Sequence, residues 1–238
     1  MAGMWSSLFV GLLLAHFVGD FVLQTDSLCK QKREKKARSW FLYVHALVIS
    51  LLSLLALWDF RLWYVALILG FCHLLIDLGK TYVKKDNVWV FVIDQALHIL
   101  ILAIAALDCF NEFGWTCPDW LTPQVQKFLV IAVAALVCWK PANLFIKETL
   151  QYNRVSFPAD DSNSFHAGKL IGTLERWLIL VFILLGRYEV IGFLIAAKSI
   201  IRFGEGDKDQ TEYFLAGTLL SIAIAVGCGL LVRGFMIV

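Results

Sequence analysis

Three short stretches carry the residues that could do chemistry. "HFVGDFVLQ" runs from His16 to Gln24, "HLLIDLGK" from His73 to Lys80, and "DQALH" from Asp94 to His98. Each lies in an otherwise apolar run and sets a histidine and a carboxylate four residues apart. On an α-helix, positions i and i+4 differ by about 40° and rise about 6 Å. His16, Asp20 and Gln24 should therefore form one polar stripe, His73 and Asp77 a second that Lys80 extends, and Asp94 and His98 a third. His45 stands alone on a fourth apolar segment. Ionisable groups in hydrocarbon are costly unless paired and mark function by default. Imidazole and carboxylate together suit Zn, Mn or Fe. Seven candidate ligands (His16, Asp20, His45, His73, Asp77, Asp94 and His98) exceed what one tetrahedral ion needs, so two ions sharing a carboxylate fit better. A two-metal site activates water and clamps a phosphoryl or acyl oxygen. Asp20 and Asp77 are the candidate catalytic carboxylates; Gln24, Lys80 and Gln95 are candidates to bind a substrate oxygen or to orient a ligand. A lone HxxxD pair or a lone His45 reads as a helix–helix hydrogen bond; three pairs and His45 at one depth read as a site.

The elements that must position these groups are membrane spans. The 238 residues are 60% hydrophobic and only 17% charged, and the mean hydropathy is +0.74. A soluble domain is nearer half apolar and a quarter charged. The expected fold is an all-α, polytopic helical bundle. A span needs about 20 mostly apolar residues, which gives eight candidates at 5–24, 40–58, 62–79, 88–107, 126–146, 170–186, 189–202 and 212–232. The sixth and seventh are short, so six spans plus a re-entrant hairpin is the alternative. The N-terminus lacks the basic n-region of a signal peptide and reads as the first span.

The densest basic run is "KQKREKKAR", Lys30 to Arg38, and Lys80, Lys84 and Lys85 follow two spans later. The loop "DCFNEFGWTCPDWLTPQ" has neither Lys nor Arg. By the positive-inside rule the basic loops are cytoplasmic and both termini lie outside. Asp20, His45, Asp77 and Asp94 then all fall in the cytoplasmic half. Organisation follows the same pattern: a five-span N-terminal bundle at 1–150 with the His/Asp cluster, a polar cytoplasmic linker at 151–169, and a C-terminal helical region at 170–238. Cys109 and Cys117 share the external loop, where a disulfide would form in an oxidising compartment. The basic residues sit in loops without a base-reading motif, which argues against a nucleic-acid partner.

The C-terminal region holds a second polar set: Glu175 and Arg176 at the start of span six, Lys198 and Arg202 four residues apart in span seven, and Glu212 opening span eight. One reading is recognition of an anionic group such as a lipid phosphate; the other is an interhelical salt-bridge cluster.

"HFVGDFVLQTD", "HALV", "HLLIDLGK" and "DQALH" together resemble the bacterial membrane proteins grouped as domain-of-unknown-function family 3307, over roughly the first half of the chain. "GKLIGTLERWLI" and the segments after it look like the C-terminal region of longer members. HxxxD on a helix is also similar to the broader membrane-bound metal-dependent hydrolases. That likeness implies metal-dependent hydrolysis, with His16, Asp20, His73 and Asp77 as the matched positions, in a multi-pass protein of the bacterial inner membrane. The expected substrate is lipidic or lipid-linked and is reached from the cytoplasmic leaflet. Two other functions compete: a proton- or ion-coupled transporter or channel that uses the His/Asp cluster, and a membrane scaffold or sensor acting through the Lys30–Arg38 loop.

Overall fold

The computed structural model describes the backbone of residues 2–85, 87–155, 162–202 and 208–237, and the side chains of 5–85, 87–155, 168–200, 213 and 215–235. Every regular element among them is helical. In chain order these are α1 (Ala2–Phe17), which widens into a π-helical turn (Val18–Leu23), α2 (Asp26–Lys35), α3 (Trp40–Leu57), α4 (Trp63–Thr81), α5 (Val88–Asn111), α6 (Pro123–Val137), α7 (Lys140–Tyr152), α8 (Ser162–Leu184), α9 (Tyr188–Arg202) and α10 (Lys208–Ile237). Six stretches among the described residues are long and apolar enough to cross a membrane: Trp5–Leu23, Trp40–Leu57, Phe60–Thr81, Val88–Asn111, Pro123–Tyr152 and Leu215–Phe235. Eight were expected, with six plus a re-entrant hairpin as the alternative. The spans expected at 170–186 and 189–202 are α8 and α9, and neither is among the six. The fifth, Pro123–Tyr152, joins α6 and α7 across a break at Cys138–Trp139. α8 starts at Ser162, inside the stretch read as a linker.

Internal packing divides the chain into Met1–Val133 and Ala134–Val238. In the first unit, α1, α3, α4 and α5 pack together. Their sequences are apolar nearly all round, as membrane helices are, so polarity decides the facing. α3 exposes Leu47, Leu51 and Leu55 on one side and buries His45, Ile49, Ser50 and Ser53 on the other. Helix ends follow local chemistry. Asn87 caps α5 by accepting from the Val90 amide at 2.9 Å, as Asn does at an N-cap. α3 stops at Trp58, whose φ is 51°, and Asp59 accepts from the Arg61 backbone amide in the turn that follows.

Two levels stack inside this unit. One is an apolar layer of Leu8, Leu12, Leu57, Ala66, Leu69, Leu102, Ala106 and Cys109, closed by Trp115. The Trp115 indole donates to the Leu57 carbonyl at 2.8 Å, tying the loop after α5 to the end of α3. The other level, nearer the basic loop, holds the histidines and aspartates. Gly70 lets α4 approach α3 there: a Cβ at this position would lie 2.7 Å from the Ala46 carbonyl oxygen and collide with the Ser50 hydroxyl. Gly19, in the π-helical turn, admits the Ile49 side chain in the same way.

The second unit has its own apolar core, formed by Ile179, Ile183, Ile191 and Ala225. Gly229 of α10 lies against Ile183 of α8, where a Cβ would come within 2.7 Å of Ile183 Cδ1. All six cysteines are free thiols. Cys109 is buried in the apolar layer and Cys117 donates weakly to the Pro118 and Leu121 carbonyls, so this pair, whose bonding the sequence left open, is not bonded.

Candidate metal centre

Four helices deliver the polar side chains. α1 supplies His16, and the π-helical turn after it supplies Asp20; α3 supplies His45, α4 His73 and Asp77, and α5 Asp94, Gln95 and His98. π-turns are rare and gather at functional sites. Here the turn starts two residues after His16 and carries Asp20 toward α3 and α4. The four histidines and Asp77 and Asp94 are more than nine-tenths buried, and the Asp20 side chain is 9% exposed.

Four atoms meet at the centre. His45 Nε2 and His73 Nε2 are 3.1 Å apart. Asp20 Oδ1 lies 3.1 Å from the first and 3.2 Å from the second. Asp77 Oδ2 lies 3.8 Å from His45 Nε2 and 3.7 Å from His73 Nε2. Two imidazole nitrogens and one carboxylate oxygen thus form a triangle with sides of 3.1–3.2 Å. Protons alone satisfy it poorly. If both nitrogens carry hydrogen, both donate to Asp20 and face each other without a proton between them. If one lacks hydrogen, it accepts from the other, and Asp20 loses one donor. A cation inside the triangle would resolve the conflict. Donors held about 2.0–2.2 Å from a tetrahedral ion are about 3.3–3.6 Å apart, and the five separations bracket that value. His16, Asp20 and His73 form one group able to hold an ion, and His45, His73 and Asp77 another, with His73 in both.

The remaining residues fall around this core. His16 Nε2 lies 3.8 Å from Asp20 Oδ2 and donates to Gln95 Oε1 at 3.4 Å. Gln95 Nε2 in turn donates to Asp94 Oδ2 at 3.0 Å. Asp94 stands apart from the four central atoms, because Lys80 Nζ bonds its Oδ2 at 2.6 Å. Lys80, expected to bind a substrate oxygen or to orient a ligand, is engaged with Asp94 across the α4–α5 turn. His98 Nδ1 donates to the Asp94 backbone carbonyl at 2.9 Å, which leaves Nε2 with the lone pair. That nitrogen and Asp94 Oδ1 are buried without a partner. The His98 ring centre is 4.3 Å from that of His73 and 4.9 Å from that of His16. Gln24 leaves the expected stripe: the helix ends at Leu23, Gln24 is extended, and its buried Nε2 has no partner.

Lys32 was not singled out by the sequence, yet its Nζ bonds Asp77 Oδ2 at 2.5 Å in a buried ion pair. It sits in the basic run that obeys the topology rule, which masked it. The available signal was spacing: Leu28 and Lys32 are four apart on one face of α2, while Lys30, Arg33, Glu34 and Lys35 are exposed. Cys29 lies in the same helix; burial pushes its thiol above the usual range, against the opposing pull of Lys32.

In the second unit, Lys198 pairs with Glu175. Arg176 is fully buried and donates to the Cys138 carbonyl at 2.6 Å, Ser221 Oγ at 2.8 Å, Asn143 Oδ1 at 2.6 Å and Thr173 Oγ1 at 3.1 Å. Glu175 and Arg176 thus serve different partners, as an interhelical polar network does. The side chains of Arg202 and Glu212 lie outside the described residues.

These features define a helical membrane protein built around a buried histidine–aspartate cluster. Residues 8–120 match the model of the family described as protein of unknown function (DUF3307). The matched stretch holds all seven candidate ligands, together with Lys32. No curated protein and no solved structure matches the chain.

Proposed function

We propose that this chain is a membrane-embedded, metal-dependent hydrolase of the bacterial inner membrane, acting from the cytoplasmic side on a lipid or lipid-linked substrate. The observation that carries this reading is the pair His45 Nε2 and His73 Nε2, 3.1 Å apart, with Asp20 Oδ1 at 3.1–3.2 Å and Asp77 Oδ2 at 3.7–3.8 Å from them, separations that suit a tetrahedral cation better than a set of protons. These four side chains would hold the ion. His16 supports Asp20 from the other side. Imidazole and carboxylate donors favour Zn, Mn or Fe. The unpartnered His98 Nε2 and Asp94 Oδ1 are donors left over for a second ion. A divalent ion held here supplies Lewis acidity, polarising a phosphoryl or acyl oxygen and making water more acidic. The protein's part is to fix the donors, exclude bulk water and neutralise charge. Gln95 orients His16, and Lys80 holds Asp94.

Elemental analysis of the purified protein tests the proposal. The wild type should carry at least one transition-metal ion per chain, and His45→Ala and His73→Ala should lose it while eluting as folded protein. A wild type free of such metal ends this reading.

The ion pairs Lys32–Asp77 and Lys80–Asp94 favour a second reading. They leave the cluster nearly neutral without any added cation, as suits a proton- or ion-coupled transporter. Proteoliposome flux that persists in metal-free protein would select it.

A further inference from the structure

Lys32 is a charged group that reaches the cluster from α2, outside the four helices. The charged neighbours Lys30, Arg33, Glu34 and Lys35 on α2 are exposed, whereas Lys32 turns inward, 7% exposed, onto Asp77. The oxygen it holds is the Asp77 Oδ2 that faces His45 and His73. The ammonium group and a divalent ion would compete for this one atom, and like charges so close repel strongly at a buried site. Lys32 therefore yields when a cation enters.

Charge balance says where it turns. Asp20, Asp77 and Asp94 face Lys32 and Lys80, so with neutral histidines the cluster has one negative charge in excess. One divalent ion reverses this to one positive charge. A buried positive excess needs an anion. The same segment offers more polarity than it uses: Gln24 Nε2, just before α2, and Gln31 Oε1, within it, are buried without partners. An ammonium point charge and an amide donor are both groups that bind phosphate oxygens. The exposed Lys30, Lys35 and Lys36 raise the local concentration of anionic headgroups at the same surface.

We infer that Lys32 is a displaceable arm, which guards Asp77 in the cation-free protein and binds a phosphate oxyanion of the substrate once the cation is in place. This names a phosphoester as the substrate class and rests on the metal-centre reading.

The test uses the full chain in phosphatidylcholine nanodiscs, comparing wild type, Lys32→Met and Lys32→Arg, with melting temperature as the folding control. Zn²⁺ alone should bind Lys32→Met about tenfold more tightly than wild type, because a competing charge is gone. Zinc-loaded wild type and Lys32→Arg should bind inorganic phosphate or short-chain phosphatidic acid, and zinc-loaded Lys32→Met should bind either about tenfold more weakly. Preference for phosphatidic acid identifies a lipid head as the source, and preference for inorganic phosphate identifies a soluble ester; both support the inference. Zinc affinity unchanged or weakened in Lys32→Met overturns it, as does phosphate binding equal to wild type. A wild type that takes up no zinc overturns the metal centre itself, which separates the two failures.

Discussion

Lys32 of α2 and Asp77 of α4 form a buried ion pair at 2.5 Å, joining a short amphipathic helix to the centre of a membrane bundle. Breaking one side of such a pair strands a charge, which costs about 3 kcal/mol or more. In metal-free protein, Asp77→Asn should therefore destabilise by about that amount, and Lys32→Met with Asp77→Asn should recover most of the loss. Chemical denaturation in detergent of the two single variants and the double variant measures the coupling. Additive effects would show that the pair is not formed.

Gly70 sets the distance between α3 and α4, and so between His45 and His73. Gly70→Val places a side chain against the Ala46 carbonyl and Ser50. The expected cost is about 1–3 kcal/mol of overpacking, with metal lost because the two imidazoles are pushed apart. Thermal unfolding and metal content check both parts. Gly79→Ala is the control, since nothing lies near its Cβ position.

Cys29 reports on the seating of α2. Its thiol is raised by burial, with Lys32 opposing. Alkylation proceeds through the thiolate, so Cys29 should react more slowly than a free thiol at pH 7 and catch up only as pH rises beyond the ordinary thiol range. Lys32→Met removes the opposing cation, raises the thiol further and should slow the reaction again. Mass-spectrometric rates at Cys29 over a pH series decide it; faster labelling in Lys32→Met would mean that α2 has come away.

Arg176 should matter for stability and not for metal. Arg176→Leu strips donors from Cys138 O, Ser221, Asn143 and Thr173, and each buried polar group left unpaired costs about 1–3 kcal/mol. Unfolding should come markedly earlier while metal per folded chain stays at the wild-type value. Equal metal loss would tie Arg176 to the centre.

The cluster itself was legible in the sequence because helical periodicity and span direction are both simple rules. HxxxD fixes a face, and counting from span ends fixes a level, so His16, Asp20, His45, His73 and Asp77 were expected together and are found together. What the rules cannot give is the partner chosen across a turn. Asp94 has the spacing of a ligand, yet Lys80, fourteen residues earlier, takes it. Gln24 has the spacing of a stripe residue, but a π-helical turn ends at Leu23 and changes the register. Lys32 was hidden for a different reason: one inward lysine among outward ones looks like any other member of a basic run.

The layer of Leu8, Leu12, Leu57, Leu102 and Ala106 beneath the histidines gives the bundle an electrical polarity of its own. It is an apolar barrier between the charged level and the far side, pinned by the Trp115–Leu57 bond. A proton or hydrated ion that reaches the aspartates from the basic-loop end meets a dielectric wall beyond them. Reagents presented on opposite faces of sealed vesicles should therefore find the cluster from one side only.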